Sequence, residues 1–397
     1  MNKFLIRACM IPAAIFAFAA CSNDDPETPS VDYPAATYTD ATGLEMSLNG
    51  STVLGKTAQY TPAGGNTATI AISSEFDMSA FGNLAKSDAP ATGTIAGPGV
   101  LPGTPVTTLN VTLTPGTDNA TFEGEGDATY CTYKYSGKVN TTSLALAFNE
   151  VKLKDISLAG TWNLDRFTMD KETYEINSNP IHVVWESSAN FNFLGSPMPV
   201  GDIIKLLMVM PLLNDMSVTV PDMLSRLLTS VELREDGNIV ANYMEDGETP
   251  ATSSPNMVQY VIPAKNKMLV FINPQAVIAE DADSRSASRA LDVNNLLNNI
   301  LAQVAPMLSN GVPMATAQEG NALSVYMDTD LLLPLLKTNV LPLLRDEELV
   351  KQLVDMVASD PDMGMFAPML PPMIASMGDV IEGTTKIEVG LNFTKAN

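Results

Sequence analysis

The chain has 397 residues and carries 45 acidic against 22 basic side chains, a formal net charge of −23, with a single histidine. So acidic a chain lacks the basic footprint that grips a phosphate backbone, which argues against nucleic acid as a partner. Hydrophobic residues make up 45% and charged residues only 17%, enough for a packed core in a length that suits two domains.

The first element is a leader. Lys3 and Arg7 precede the apolar stretch IPAAIFAFAA, which ends at Cys21. A positive start, a short apolar run and small residues before a cut describe a secretory signal peptide. The run is too short to span a bilayer, which takes about 20 residues. Ala19-Ala20-Cys21 resembles the lipobox of bacterial lipoproteins. That resemblance implies that residues 1–21 are signal and lipidation site, with Cys21 receiving the lipid and becoming the new N-terminus. Residues 22–35 then read as a flexible acidic tether. The string SNDDPETPS has two prolines, three acids and nothing large enough to pack. Its Ser22-Asn23-Asp24-Asp25 start resembles the surface-export signal of Bacteroidetes lipoproteins, which implies an outer-membrane protein exposed on the cell surface. A cysteine bearing two or three acyl chains anchors firmly, where one chain alone is marginal.

Residues 36–155 read as an N-terminal β domain. Asn49-Gly50 is a strong hairpin signal. TATIAIS (67–73), TTLNVTL (107–113), ATFEGEG (120–126), TYCTYKYSG (129–137) and TSLALAF (142–148) alternate like strands and are bounded by turn residues. Cys131, Tyr133 and Tyr135 share one strand face, as core packing or as an aromatic ligand shelf. The Gly/Pro-rich stretch 87–105 is a loop of a length that is uncommon unless it has a role or moves.

Residues 156–397 read as a second antiparallel β domain with helical insertions near 201–228, 291–308 and 331–378. Its opening Gly160-Thr161-Trp162 resembles the G-x-W of the first strand in lipocalin-like (calycin) barrels, where the tryptophan closes the barrel floor. Strand-like runs follow at 183–187, 230–236, 239–245, 257–263, 268–274, 323–329 and 386–393. With the tryptophan strand they make about eight, the usual number for a small barrel. The fold class expected is therefore mainly β with inserted helices, a calycin-like antiparallel barrel or open sheet behind a separate β domain. In DEELVKQLVDMVAS (346–359), Asp346 caps a helix whose Leu349, Leu353 and Met356 share a face. Pro-Leu-Leu and Pro-Met-Leu triplets recur in the insertions, so their helices are short and bent.

Chemistry is sparse. Of three cysteines, Cys9 leaves with the signal and Cys21 carries lipid, so Cys131 has no partner for a disulfide and no cysteine metal site forms. Any histidine-dependent triad must use His182, which sits in a strand-like run. No catalytic motif, cofactor loop or metal signature is present, so no cofactor is expected. Met363, Met365, Met369, Met373 and Met377 crowd one segment, the last four each four residues apart. Methionine fills irregular cores and also serves adaptable binding surfaces. Met365, Met369, Met373, Met377 and Trp185 are thus the candidate hydrophobic-ligand residues, with Trp162 and Gly160 structural.

The function expected is a lipid-anchored cell-surface binding protein without catalysis, for a hydrophobic small ligand, a glycan or a surface protein. Two alternatives stay open. One is a glycoside hydrolase working through two carboxylates; the other is a structural subunit of an outer-membrane complex. The chain as a whole resembles uncharacterised Bacteroidetes lipoproteins with calycin-like domains.

Overall fold

The computed structural model describes residues 31, 33–77, 93–170, 172–173, 175–212, 215–245, 247–281, 307–359 and 364–396. The signal peptide, Cys21, most of the tether and the helix expected at 291–308 as far as 306 lie outside them. The described residues are mainly β, 49% strand and 24% helix, with several antiparallel sheets.

The N-terminal half is a sandwich. Its four-stranded sheet runs in the order Ala36–Thr39, Thr57–Gly64, Thr67–Ser73, Thr107–Thr112. A six-stranded sheet faces it, built around Ala120–Asp127, Cys131–Val139 and Leu144–Leu153. One pairing in it, Leu44–Leu48 with Leu144–Leu153, is parallel. Alternation sets the core: Ala68, Ile70 and Ile72 of TATIAIS are buried and their neighbours are not. At Asn49 (φ 46°) and Gly50 (φ 84°) the expected hairpin turns into Ser51–Thr52. Val31 and Tyr33, read as tether, already pack against this core.

The tyrosine face is packing, not a shelf. Tyr135 and Tyr133 lie over their cross-strand partners Gly124 and Gly126, and Phe122 lies over Gly137. A Cβ at any of these glycines meets side-chain atoms of the opposing aromatic residue at 2.4 Å or less. Cys131 is fully buried beside them, and burial pushes its thiol up to about 11.

The C-terminal half is one large antiparallel sheet. Eight strands form a meander whose first and last members pair: Gly160–Leu164, Leu228–Leu233, Ile239–Glu245, Val258–Ala264, Lys267–Ile272, Val312–Glu319, Ala322–Met327 and Thr384–Lys395. Between Ile239–Glu245 and Val258–Ala264 there is no ladder, only an isolated bridge at Asn238 and Gln259. The sheet is therefore not a closed barrel. The expected membership also shifts. Ile181–Ser187 lies off the meander and pairs with the lower part of Thr384–Lys395, while Val312–Glu319, which sequence reading passed over, takes a place in it. Trp162 is fully buried and donates its indole N–H to Leu158 O at 2.8 Å. Gly160 has φ 134°, a backbone conformation open to glycine.

Helices fill the insertions. Val200–Val209 and Val220–Leu227 occupy the first, the latter with a Thr219–Asp222 capping box. Thr329–Leu335 contains Pro334 and continues as a π-helix over Leu336–Val340; the missing proline N–H loosens the regular ladder there. Leu341–Leu344, Glu347–Ser359, a 3-10 turn at Gly364–Met369 and Leu370–Glu382 follow. Asp346 caps its helix as expected, accepting from Glu348 N and Leu349 N. That helix buries none of its residues, and Leu353 and Met356 are exposed. Among the described residues no helix is long and apolar enough to cross a membrane.

The two halves share one hydrophobic core. Asn256 Nδ2 donates to Ser51 O and Thr52 O, Asn273 Nδ2 to Leu54 O, and Gln275 Nε2 to Glu75 O. The second part of the Gly/Pro loop is wedged between them, with Gly97–Pro102 buried. Lys56 Nζ holds Pro98 O at 2.7 Å from one side and Gln259 Nε2 holds Val100 O at 3.3 Å from the other. Gly99 is obligatory here, because a Cβ would overlap the carbonyl of Thr104.

Candidate functional site

The first insertion helix, Val200–Val209, has two working sides. Val200 and Ile203 point into a second, smaller core with Phe191 and Val380. Trp185, Met373 and Met377 pack against that core. Trp185 is fixed by a hydrogen bond from its indole N–H to Thr384 Oγ1 at 2.8 Å, and Thr384 in turn donates to Val380 O. Three of the five candidate ligand residues therefore meet, but as packing around the helix rather than as an open pocket.

Met369 parts from them. Met365 belongs to the 3-10 turn, and Met369 ends that turn, 40% exposed. A 3-10 helix has three residues per turn, so a spacing of four does not stay on one face. The expected methionine stripe is broken at the junction with Leu370–Glu382. Met363 lies outside the described residues.

On its open side the same helix lines a groove of about 670 Å³ with Lys205, Leu206 and Val209. Met169, Glu175, Ile176 and Asn177 of the facing hairpin Thr168–Met169/Ile176–Ser178 form the other wall. Four apolar side chains with one cation, one acid and one amide is the pattern of a site that holds an apolar body and orients a polar end; small-molecule sites span roughly 300–1,000 Å³. Sequence reading missed it because its walls come from separate segments. The signal available was the helix itself: DIIKLLMVM is apolar nearly all round, more than one buried face requires.

His182 is half-buried in its strand. Its Nε2 lies 3.0 Å from Glu388 Oε2, and Lys386 Nζ lies 3.1 Å from the other carboxylate oxygen. The imidazole stacks on Tyr326, centroids 4.4 Å apart. Both rings flank Gly390, the cross-strand partner of each. Burial raises the Glu388 carboxyl, but hydrogen bonds from His182 and Lys386 outweigh it and hold the group below its usual range. The carboxylate is thus committed to two partners on a sheet face, as in a structural ion-pair set.

A broader groove of about 740 Å³ runs along the seam between the halves, lined by residues including Gly160, Lys152, Glu232, Arg234 and Glu235. Its charges pair at the surface, Lys152 with Glu235 and Arg234 with Glu232. Among the described residues no aspartate or glutamate is buried and no cluster of three metal-ligating side chains occurs. The pair of buried acids that would point to glycoside hydrolysis is not found among them.

Comparison with protein-family models found no matching family, and searches of curated proteins and of solved structures found no match.

Proposed function

We propose that this chain is a lipid-anchored cell-surface binding protein that holds a hydrophobic small molecule in the groove beside Val200–Val209 and acts by binding. The observation that carries the reading is that groove: an insertion helix packed on one side and lining about 670 Å³ of largely apolar space on the other. In the same reading the large sheet is a calycin-like barrel left open at one seam, with Trp162 at its floor. Support for this comes from the eight-strand meander and from the buried indole. The anchor is Cys21, and the outer membrane is the partner it engages.

The test is mass spectrometry of the purified chain under native conditions, beside an organic extract of the same sample. A stoichiometric apolar molecule that is lost in Leu206→Glu, with the melting temperature unchanged, supports the reading. An apo chain that takes up no fatty acid or sterol from a mixed panel removes it.

One observation favours a second reading. The amphipathic helix Glu347–Ser359 leaves Leu353 and Met356 exposed, as a structural subunit of a surface complex does. A mass that rises with concentration, and that Met356→Lys returns to the monomer, distinguishes it.

A further inference from the structure

We infer that the joint between the two halves holds one internal water molecule, bound by Lys56, Asn256 and Asn273 as a structural part of the interface. The space is there: these residues line a cavity of about 10 Å³ together with Val53, Val100 and Phe271. One water needs roughly 10–15 Å³ on this measure and two to four polar partners.

The partners are there too. Asn256 and Asn273 are 5% and 4% exposed, and the Oδ1 of each meets no donor among the described residues. Their amides are not free to turn over. Asn256 Nδ2 is committed to the carbonyls of Ser51 and Thr52, and Asn273 Nδ2 to that of Leu54. Turning either amide would set oxygen against oxygen, so the oxygens are what remain for the cavity. Lys56 is buried, and its ammonium has three N–H donors, of which one goes to Pro98 O.

Both of the water's own donors are then used. A water accepts from Lys56 Nζ and donates to the two asparagine oxygens. It satisfies two orphaned acceptors and gives the buried ammonium a second partner. No other small ligand does this. A metal cation or ammonium ion is repelled by Lys56, and an anion faces two carbonyl-type oxygens. Each of the three residues also holds backbone at the joint, Lys56 the loop wedge within the first half and the asparagines the 51–54 segment across it. One water therefore ties sandwich, wedge and sheet at a single point.

The first test is a crystal structure of the complete chain, fine enough to show ordered solvent. The expected result is one solvent peak within hydrogen-bond distance of Lys56 Nζ, Asn256 Oδ1 and Asn273 Oδ1. A cavity without density, or Lys56 Nζ bonded directly to either oxygen, overturns the inference. The second is oxygen-17 relaxation dispersion in solution, which counts long-lived internal waters. Asn273→Leu should show one fewer than the wild-type chain, and an equal count overturns the inference. If Asn273→Leu does not fold, Lys56→Met serves the same comparison with the same reading.

Discussion

Lys395 lies over the indole of Trp162, its ammonium 5.4 Å from the ring centroid, and the two are direct cross-strand partners where the last strand meets the first. Removing the ring leaves a large hole under the place where these two strands pair. Trp162→Ala is expected to cost about 3–5 kcal/mol. Lys395→Ala loses a cation–π contact worth roughly 1 kcal/mol. Urea unfolding of both variants checks the ranking, and an unaltered midpoint for Trp162→Ala would sink the account of the floor.

Gly390 lets two rings meet. A Cβ there falls 2.1 Å from Val325 O and 2.4 Å from Tyr326 Cα, both backbone atoms that cannot swing aside. Gly390→Ala should therefore destabilise by about 2 kcal/mol or more and part the His182–Tyr326 stack. The measurement is the melting temperature together with the histidine ring proton shifts. Retention of the stacked ring shift would contradict it.

Lys56 gives the fold a pH signature. Burial holds its ammonium down to about 8, against the opposing pull of Asp40, from an ordinary value of 10.5. The unfolded chain keeps that proton up to the ordinary value. Between pH 8 and 10.5 the unfolded state thus binds more protons, so this group makes stability rise with pH across that window. Below pH 8 both states are charged and the slope vanishes. The full effect is roughly 3 kcal/mol. Since tyrosines also titrate at the upper end, the quantity to read is the stability of wild type minus that of Lys56→Met, which should become more positive from pH 8 to 10. A constant difference rules the account out.

Cys131 is fully buried with its thiol raised to about 11, so little thiolate forms at neutral pH. Maleimide should label it only after unfolding, on a timescale set by the opening of the six-stranded sheet. Rapid labelling of the folded chain, located by peptide mapping, would show the sandwich core to be more open than described.

Cys21→Ala tests the anchor. The substituted chain should move from the membrane fraction to the soluble fraction, with its circular dichroism unchanged. If fractionation stays as in wild type, the lipoprotein reading falls.

The strands were legible where one face is buried and the other wet. TATIAIS and ATFEGEG alternate cleanly, and Asn49-Gly50 fixes its own turn chemistry. Val312–Glu319 was not legible: Pro313, Ala315 and Ala317 blunt the pattern, and pairings such as Met268 with Met314 hold it. The strand at 181–187 was visible, but its place was not. The 12-residue strand Thr384–Lys395 gives one edge to two partners in turn, Trp162–Leu164 at 393–395 and Ile181–Ser187 at 384–391. Nothing local announces that. For the candidate site, Trp185, Met373 and Met377 were legible as apolar residues that meet. The groove behind them was not, because the hairpin wall at 168–178 carries no periodic pattern of its own.

The wedge at Gly97–Pro102 has a consequence for how the chain acquires its shape. It belongs to the half synthesised first, yet Gln259, Asn256 and Gln275, which grip it and its surroundings, arrive some 160 to 205 positions later. Closing contacts across such separations is slow, because the entropy of a long loop is lost before the contact rewards it. The sandwich is thus left with an unsealed flank until the large sheet has emerged, and cutting the chain near residue 155 exposes that flank for good. Heating should melt both halves in a single cooperative step, and neither half alone should reproduce the melting temperature of the whole.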